Sequence, residues 1–258
     1  MLQFVSGIAL TQGLSDPREV TLRWLRLGGL VALGLLSVGL AGAWVAGGLA
    51  DRLPLAALGL AGAACTVQLM ATQLGHRRAQ RVAAWVLCLV AGGGATLVLR
   101  SLAHGVEGAE PTPGPGLVAL GATLLTSSGL LGGFLMTMLL GHAYLTAGGE
   151  MTQRPFLRLV AALGALLALR AVLSVAVGAW PYFAAEESRV GAMWNLVMMT
   201  ARYGAGLVVP GVFTAMTLDC VRRRSNQSAT GILYVAGVLV ILGEGAALAL
   251  LHATGLAF

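Results

Sequence analysis

The chain repeats one pattern: apolar runs of about 20 residues separated by short polar stretches. A helix needs about 20 residues to cross the ~30 Å hydrocarbon core of a bilayer. Of the 258 residues, 57% are hydrophobic and only 10% are charged. A soluble domain carries roughly 25% charged residues. So few charges cannot cover a water-facing surface. The chain therefore reads as an all-α, polytopic membrane protein, with residues 1–258 forming a single transmembrane domain.

Seven spans follow, at about 23–49, 54–75, 82–103, 116–144, 155–181, 191–220 and 230–252. They are expected to be helices, because lipid offers no partner to a backbone amide and no period-2 barrel pattern occurs. Residues 107–116, "EGAEPTPGPG", form the one long Pro/Gly break. The first fourteen residues lack the basic start of a signal peptide and are expected to lie on the membrane surface.

All sixteen basic residues are arginines, and the net charge is +6. Nucleic acid is not implied, because the arginines gather at span ends. Arg18, Arg23, Arg26, Arg77, Arg78, Arg81, Arg154, Arg158, Arg222, Arg223 and Arg224 fall on one side of the membrane. Arg52, Arg100 and Arg189 fall on the other, among acidic residues. The positive-inside rule then places the N-terminus in the cytoplasm and the C-terminus outside, as an odd number of spans requires. A bacterial inner membrane is the expected location.

Three charges remain inside the spans: Arg170, Arg202 and Glu244. Each costs at least ~2.5–3.5 kcal/mol at mid-membrane on insertion scales, so each is expected to face protein, water or a ligand. All three fall between the midplane and the outer half. Asn195 lies seven residues before Arg202, on the same helical face. Gly243 and Gly245 flank Glu244 and admit a close neighbour. Two arginines against one glutamate leave one positive charge, which either an ion-pair arrangement or an anionic ligand can answer.

The histidines offer a second arrangement. His76 and His142 fall at span ends on the arginine-rich side, His104 and His252 on the other. Two histidines per leaflet fit the axial ligation of b-type haem, with His142 and His76 as one pair. His142 with Tyr144 also fits hydrogen bonding to a quinone carbonyl. Against both stands their position at span edges, which suits interfacial anchors. Pro210 is expected to kink the sixth span by leaving the Gly206 carbonyl without its amide. Gly129 and Gly133 form a GxxxG, read as tight helix packing.

No nucleotide-binding, serine-hydrolase or metalloprotease motif occurs, so whether the chain is an enzyme stays open. The sequence reading is a membrane subunit that binds a redox-active or amphiphilic small molecule, quinone or b-type haem, within an electron-transfer assembly. Its ligand-binding residues would be Arg170, Arg202, Glu244, Asn195, His142 and Tyr144. Its partners would be the lipid bilayer and other membrane subunits. The alternatives are a small permease for an anionic substrate and a non-catalytic membrane scaffold.

Overall fold

The computed structural model describes residues 1–45, 52–104, 117–146, 152–179 and 192–254, without the side chains of 101–104, 117, 119, 192, 195 and 254. The Pro/Gly break at 107–116 lies outside the described residues. Among the described residues the chain is helical and contains no strand. The elements are α1 (Leu2–Leu14), α2 (Leu22–Val45), α3 (Arg52–Gln73), α4 (Arg77–His104), α5 (Leu117–Thr146) and α6 (Arg154–Leu173). There follow α7 (Ala192–Thr200), α8 (Val209–Arg222) and α9 (Asn226–Thr254). Two π-helical segments interrupt the later helices, Ser174–Ala179 after α6 and Ala201–Val208 between α7 and α8.

Among the described residues, seven stretches are long and apolar enough to cross a membrane. They are Leu22–Val45, Arg52–Gln73, Arg77–Arg100, Leu120–Thr146, Arg154–Ala179, Leu196–Arg222 and Asn226–Ala253. This is the architecture of a multi-pass membrane protein, with boundaries a few residues from those expected. The arginine-rich ends of α2, α4, α6 and α8 meet at one end of the bundle. Arg81 Nε donates to the Gly13 carbonyl at 3.0 Å, and Arg158 pairs with Glu19 at 2.9 Å.

Helix α1 corrects the expected surface segment. It is buried over most of its length, with Val5, Ile8, Ala9 and Gln12 at 1% exposure or less. At thirteen residues it is about 20 Å long, too short to span. It runs inside the bundle, antiparallel to α2. Met1 lies beside Gly39 and Leu58 toward the arginine-poor end, and Gln12 reaches the start of α2. Because α1 carries Ser6, Thr11 and Gln12, with Ser15 just past its end, it cannot be seated in protein without partners for them. Ser6 Oγ donates to the Cys88 carbonyl at 3.1 Å, and Gln12 Nε2 donates to the Leu25 carbonyl at 2.9 Å. Gln68 of α3 also donates to Gln12 Oε1.

Helix α5 is the central post. Of its membrane window 78% is buried, against 22–39% for the other six. One group of helices, α2, α3 and α4, surrounds α1 on one side of it; α6 to α9 pack on the other. The backbones of α1 and α5 approach closely at Gly7 and Gly132, where a Cβ on either glycine would enter the other helix. The expected GxxxG pair, Gly129 and Gly133, instead receives leucine side chains of α6. Trp24 ties α2 to the same post, its indole donating to the Met136 carbonyl at 3.0 Å.

The kink expected at Pro210 takes the form of the second π-helical segment. A proline has no amide to bond its i−4 carbonyl. The chain widens instead, and the Val209 amide donates to the Gly204 carbonyl five residues back. The glycines of this segment let it press onto α9, with the backbones of Gly206 and Gly243 in contact. The first π-helical segment, Ser174–Ala179, ends two residues before Pro181 in the sequence, as the second ends two before Pro210, and it was not expected.

Candidate functional site

The three intramembrane charges converge. Arg170 lies 16 residues beyond Arg154 in its span, Glu244 lies 18 beyond Asn226, and Arg202 lies 20 before Arg222. At 1.5 Å per residue, each sits about 24–30 Å from the arginine-rich end. Arg170 is 1% exposed, Arg202 0% and Glu244 4%. The π-helical geometry helps to bring them together. Arg202 and Tyr203 lie in the second π-helical segment, and Ser174 opens the first. The Gly206–Gly243 contact brings that second segment against α9 one residue from Glu244.

The carboxylate is fully engaged. Its Oε1 accepts from Arg170 Nε at 3.3 Å and from Arg202 Nη1 at 2.7 Å. Its Oε2 accepts from Arg170 Nη2 at 3.2 Å and from the Ser127 hydroxyl of α5. A carboxylate has about four acceptor positions, and four donors are aimed at this one. Arg202 Nη2 also donates to Ser174 Oγ at 3.0 Å, and the Tyr203 hydroxyl donates to the Ser174 carbonyl at 2.9 Å. Unspent capacity is therefore on the donor side. Arg202 Nε is buried and has no hydrogen-bond partner among the described residues, and the same holds for the Thr123 hydroxyl.

One cavity adjoins this centre, and a second shares two lining residues with the first. A small one of about 20 Å³ is lined by Gln3, Thr123, Ser127, Arg170 and Glu244 with apolar neighbours. A larger one of about 330 Å³ is mostly apolar, with Leu2, Leu58, Ala95 and Leu99 in its lining, and it opens at the arginine-poor half. Gln3 and Leu248 line both. No family model, curated protein or solved structure matches this chain. Its chemistry has to be argued from the site itself.

The other sequence candidates are elsewhere. Asn195 lies in α7, and its side chain is outside the described residues. His142 and His76 are both exposed, so neither imidazole enters the bundle where an axial ligand would have to stand. No group of three or more His, Cys, Asp or Glu fit to hold a metal occurs among the described residues. Tyr144 is buried but structural in its contacts. It stacks on Phe156 at 5.3 Å between ring centroids, and its hydroxyl donates to the Thr152 carbonyl, joining α5 to α6. Ser127, Thr123 and Gln3 were missed by the sequence reading. Ser174 was legible, standing four residues after Arg170 on the same helical face.

Proposed function

We propose that this protein binds an amphiphilic small molecule within its helix bundle. The polar head sits in the small cavity beside Thr123, Gln3 and Arg170, and the apolar body in the larger cavity. The observation that carries this reading is the shared lining: Gln3 and Leu248 join a charged, buried centre to an apolar cleft. Such a pairing of a mostly apolar pocket, roughly 300–1,000 Å³, with a few placed polar groups is the usual build of a small-molecule site. Four donors around Glu244 argue against its use as a proton carrier, since no acceptor position is left over.

The positive-inside rule supports an orientation with the arginine-rich end in the cytoplasm, and a bacterial inner membrane is the proposed location. The haem branch of the sequence reading loses its geometric support with the exposure of His76 and His142. A flat reduced-minus-oxidised absorption spectrum is the expected result.

The binding test is direct. Protein purified from membranes in mild detergent is extracted with organic solvent, and the extract is analysed by mass spectrometry. One amphiphile is expected in near-stoichiometric amount, and it is expected to be lost from Ala43→Trp, which fills the rim of the larger cavity. An extract holding only bulk lipid, unchanged by Ala43→Trp, sinks the reading. Site residues stand on two π-helical segments, a geometry frequent at functional sites and compatible with a carrier as well as with a static binding subunit. Uptake of the extracted compound into proteoliposomes decides between the two.

A further inference from the structure

We propose that the head group bound at this site is a single uncharged oxygen, a hydroxyl or a carbonyl, at the end of a long apolar chain; this rests on the amphiphile reading above. Size comes first. The small cavity, at about 20 Å³, holds little more than one water-sized group, which takes roughly 10–15 Å³. One oxygen fits; a carboxylate or a phosphate, with its full set of oxygens, does not. Charge comes second. Arg170 and Glu244 both line this cavity and pair with one another at 3.2 Å, so its wall presents both signs. An anionic head would stand against Glu244 and a cationic head against Arg170, each stripped of water. An uncharged head meets neither cost.

Hydrogen bonding comes third. The Glu244 carboxylate already accepts from four donors, so it has no position for a ligand proton. The Thr123 hydroxyl is 4% exposed, lines the small cavity and has no partner among the described residues. A buried hydroxyl left unbonded is costly, and a ligand oxygen in this cavity relieves it. Thr123 can give a proton and accept one, and so can the Gln3 carboxamide in the same lining. A ligand hydroxyl and a ligand carbonyl therefore both suit, and what they share is one oxygen without charge. The chain then passes Gln3 and Leu248, which line both cavities, into the larger one among Leu2, Leu58 and Leu99.

Five probes with matched chains test this on the full chain in a neutral detergent: oleyl alcohol, oleyl aldehyde, oleate, oleylamine and octadecene. Binding is read by the shift of the thermal unfolding midpoint with ligand concentration. The alcohol or the aldehyde is expected to raise the midpoint, and the other three to leave it within error. Tighter binding of the alcohol assigns a hydroxyl head, and tighter binding of the aldehyde a carbonyl; either supports the proposal. Thr123→Val, close in shape, is expected to keep the unliganded midpoint and weaken the better probe about fivefold, as loss of one neutral hydrogen bond implies. Thr123→Ser keeps the hydroxyl and is expected to bind as the native chain does. If oleate or oleylamine matches the uncharged probes, the charge argument is overturned while the amphiphile reading stands. If octadecene matches them, or if Thr123→Val binds as the native chain does, no head occupies the small cavity. If none of the five shifts the midpoint but the solvent extract holds one amphiphile, the single-oxygen head alone is overturned. If the extract is also empty, the amphiphile reading falls with it.

Discussion

Glu244 is the residue on which the centre depends. It pairs with both Arg170 and Arg202, and both are buried. Glu244→Gln keeps the shape but removes the charge. It is expected to cost about 3–5 kcal/mol, the usual penalty for leaving a buried partner uncompensated. Unfolding followed in detergent measures it. Arg202→Leu combined with Glu244→Leu should recover part of that loss, because Arg170 is then the one charge left of the three. A second prediction concerns Arg224, which turns the chain between α8 and α9 at φ +61°. A non-glycine residue is strained there by roughly 1–2 kcal/mol, so Arg224→Gly is expected to stabilise by up to about 1 kcal/mol in the same assay. At this scale the sequence was readable where burial forced a partner. Arg170, Arg202 and Glu244 announce themselves because lipid tolerates none of them alone. His142 and Tyr144, read together in the sequence, are separated by the fold, the first exposed and the second buried. Two residues apart on a helix, they point about 200° from one another. One had to face inward and the other out, and the aromatic ring took the inside.

Helix contacts here are decided by single glycines rather than by glycine content. Gly243 and Gly245 flank the same glutamate, yet Gly243 touches the backbone of Gly206 while a Cβ on Gly245 would meet open space. Gly243→Ala is expected to separate α9 from the second π-helical segment and lower the unfolding midpoint by several degrees. Gly245→Ala should stay within about 0.5 kcal/mol of the native chain, as surface changes do. If the two variants behave alike, this contact is not what seats the π-helical segment. The sequence showed both glycines and could not rank them, because the distinction lies in which neighbour arrives. Pro210 was legible as a disturbance, since its missing amide follows from covalent structure. Whether the helix would kink or widen depended on Gly204 and Gly206 and on the surface of α9 opposite them.

The seven-helix architecture was the most readable property of the whole molecule, because the apolar length of each span is set by the bilayer. Sidedness can be checked with His76→Cys and His252→Cys, both exposed positions near opposite ends of the bundle. In sealed cells an impermeant thiol reagent is expected to label the second and not the first. The reverse pattern inverts the proposed orientation. What the sequence hid was α1, whose composition of apolar and small polar residues suits a membrane surface and a protein interior equally. Only the notch offered by Gly132, and the partners waiting at Leu25, Gln68 and Cys88, decide for the interior. Those partners set an order of assembly. Helix α1 is synthesised before every element that encloses it, and its seat is incomplete until α5 has entered the membrane. The segment made first must therefore wait, outside its final place, for a helix made much later. Synthesis halted between α4 and α5 should leave α1 open to proteases, and completion of α5 should protect it.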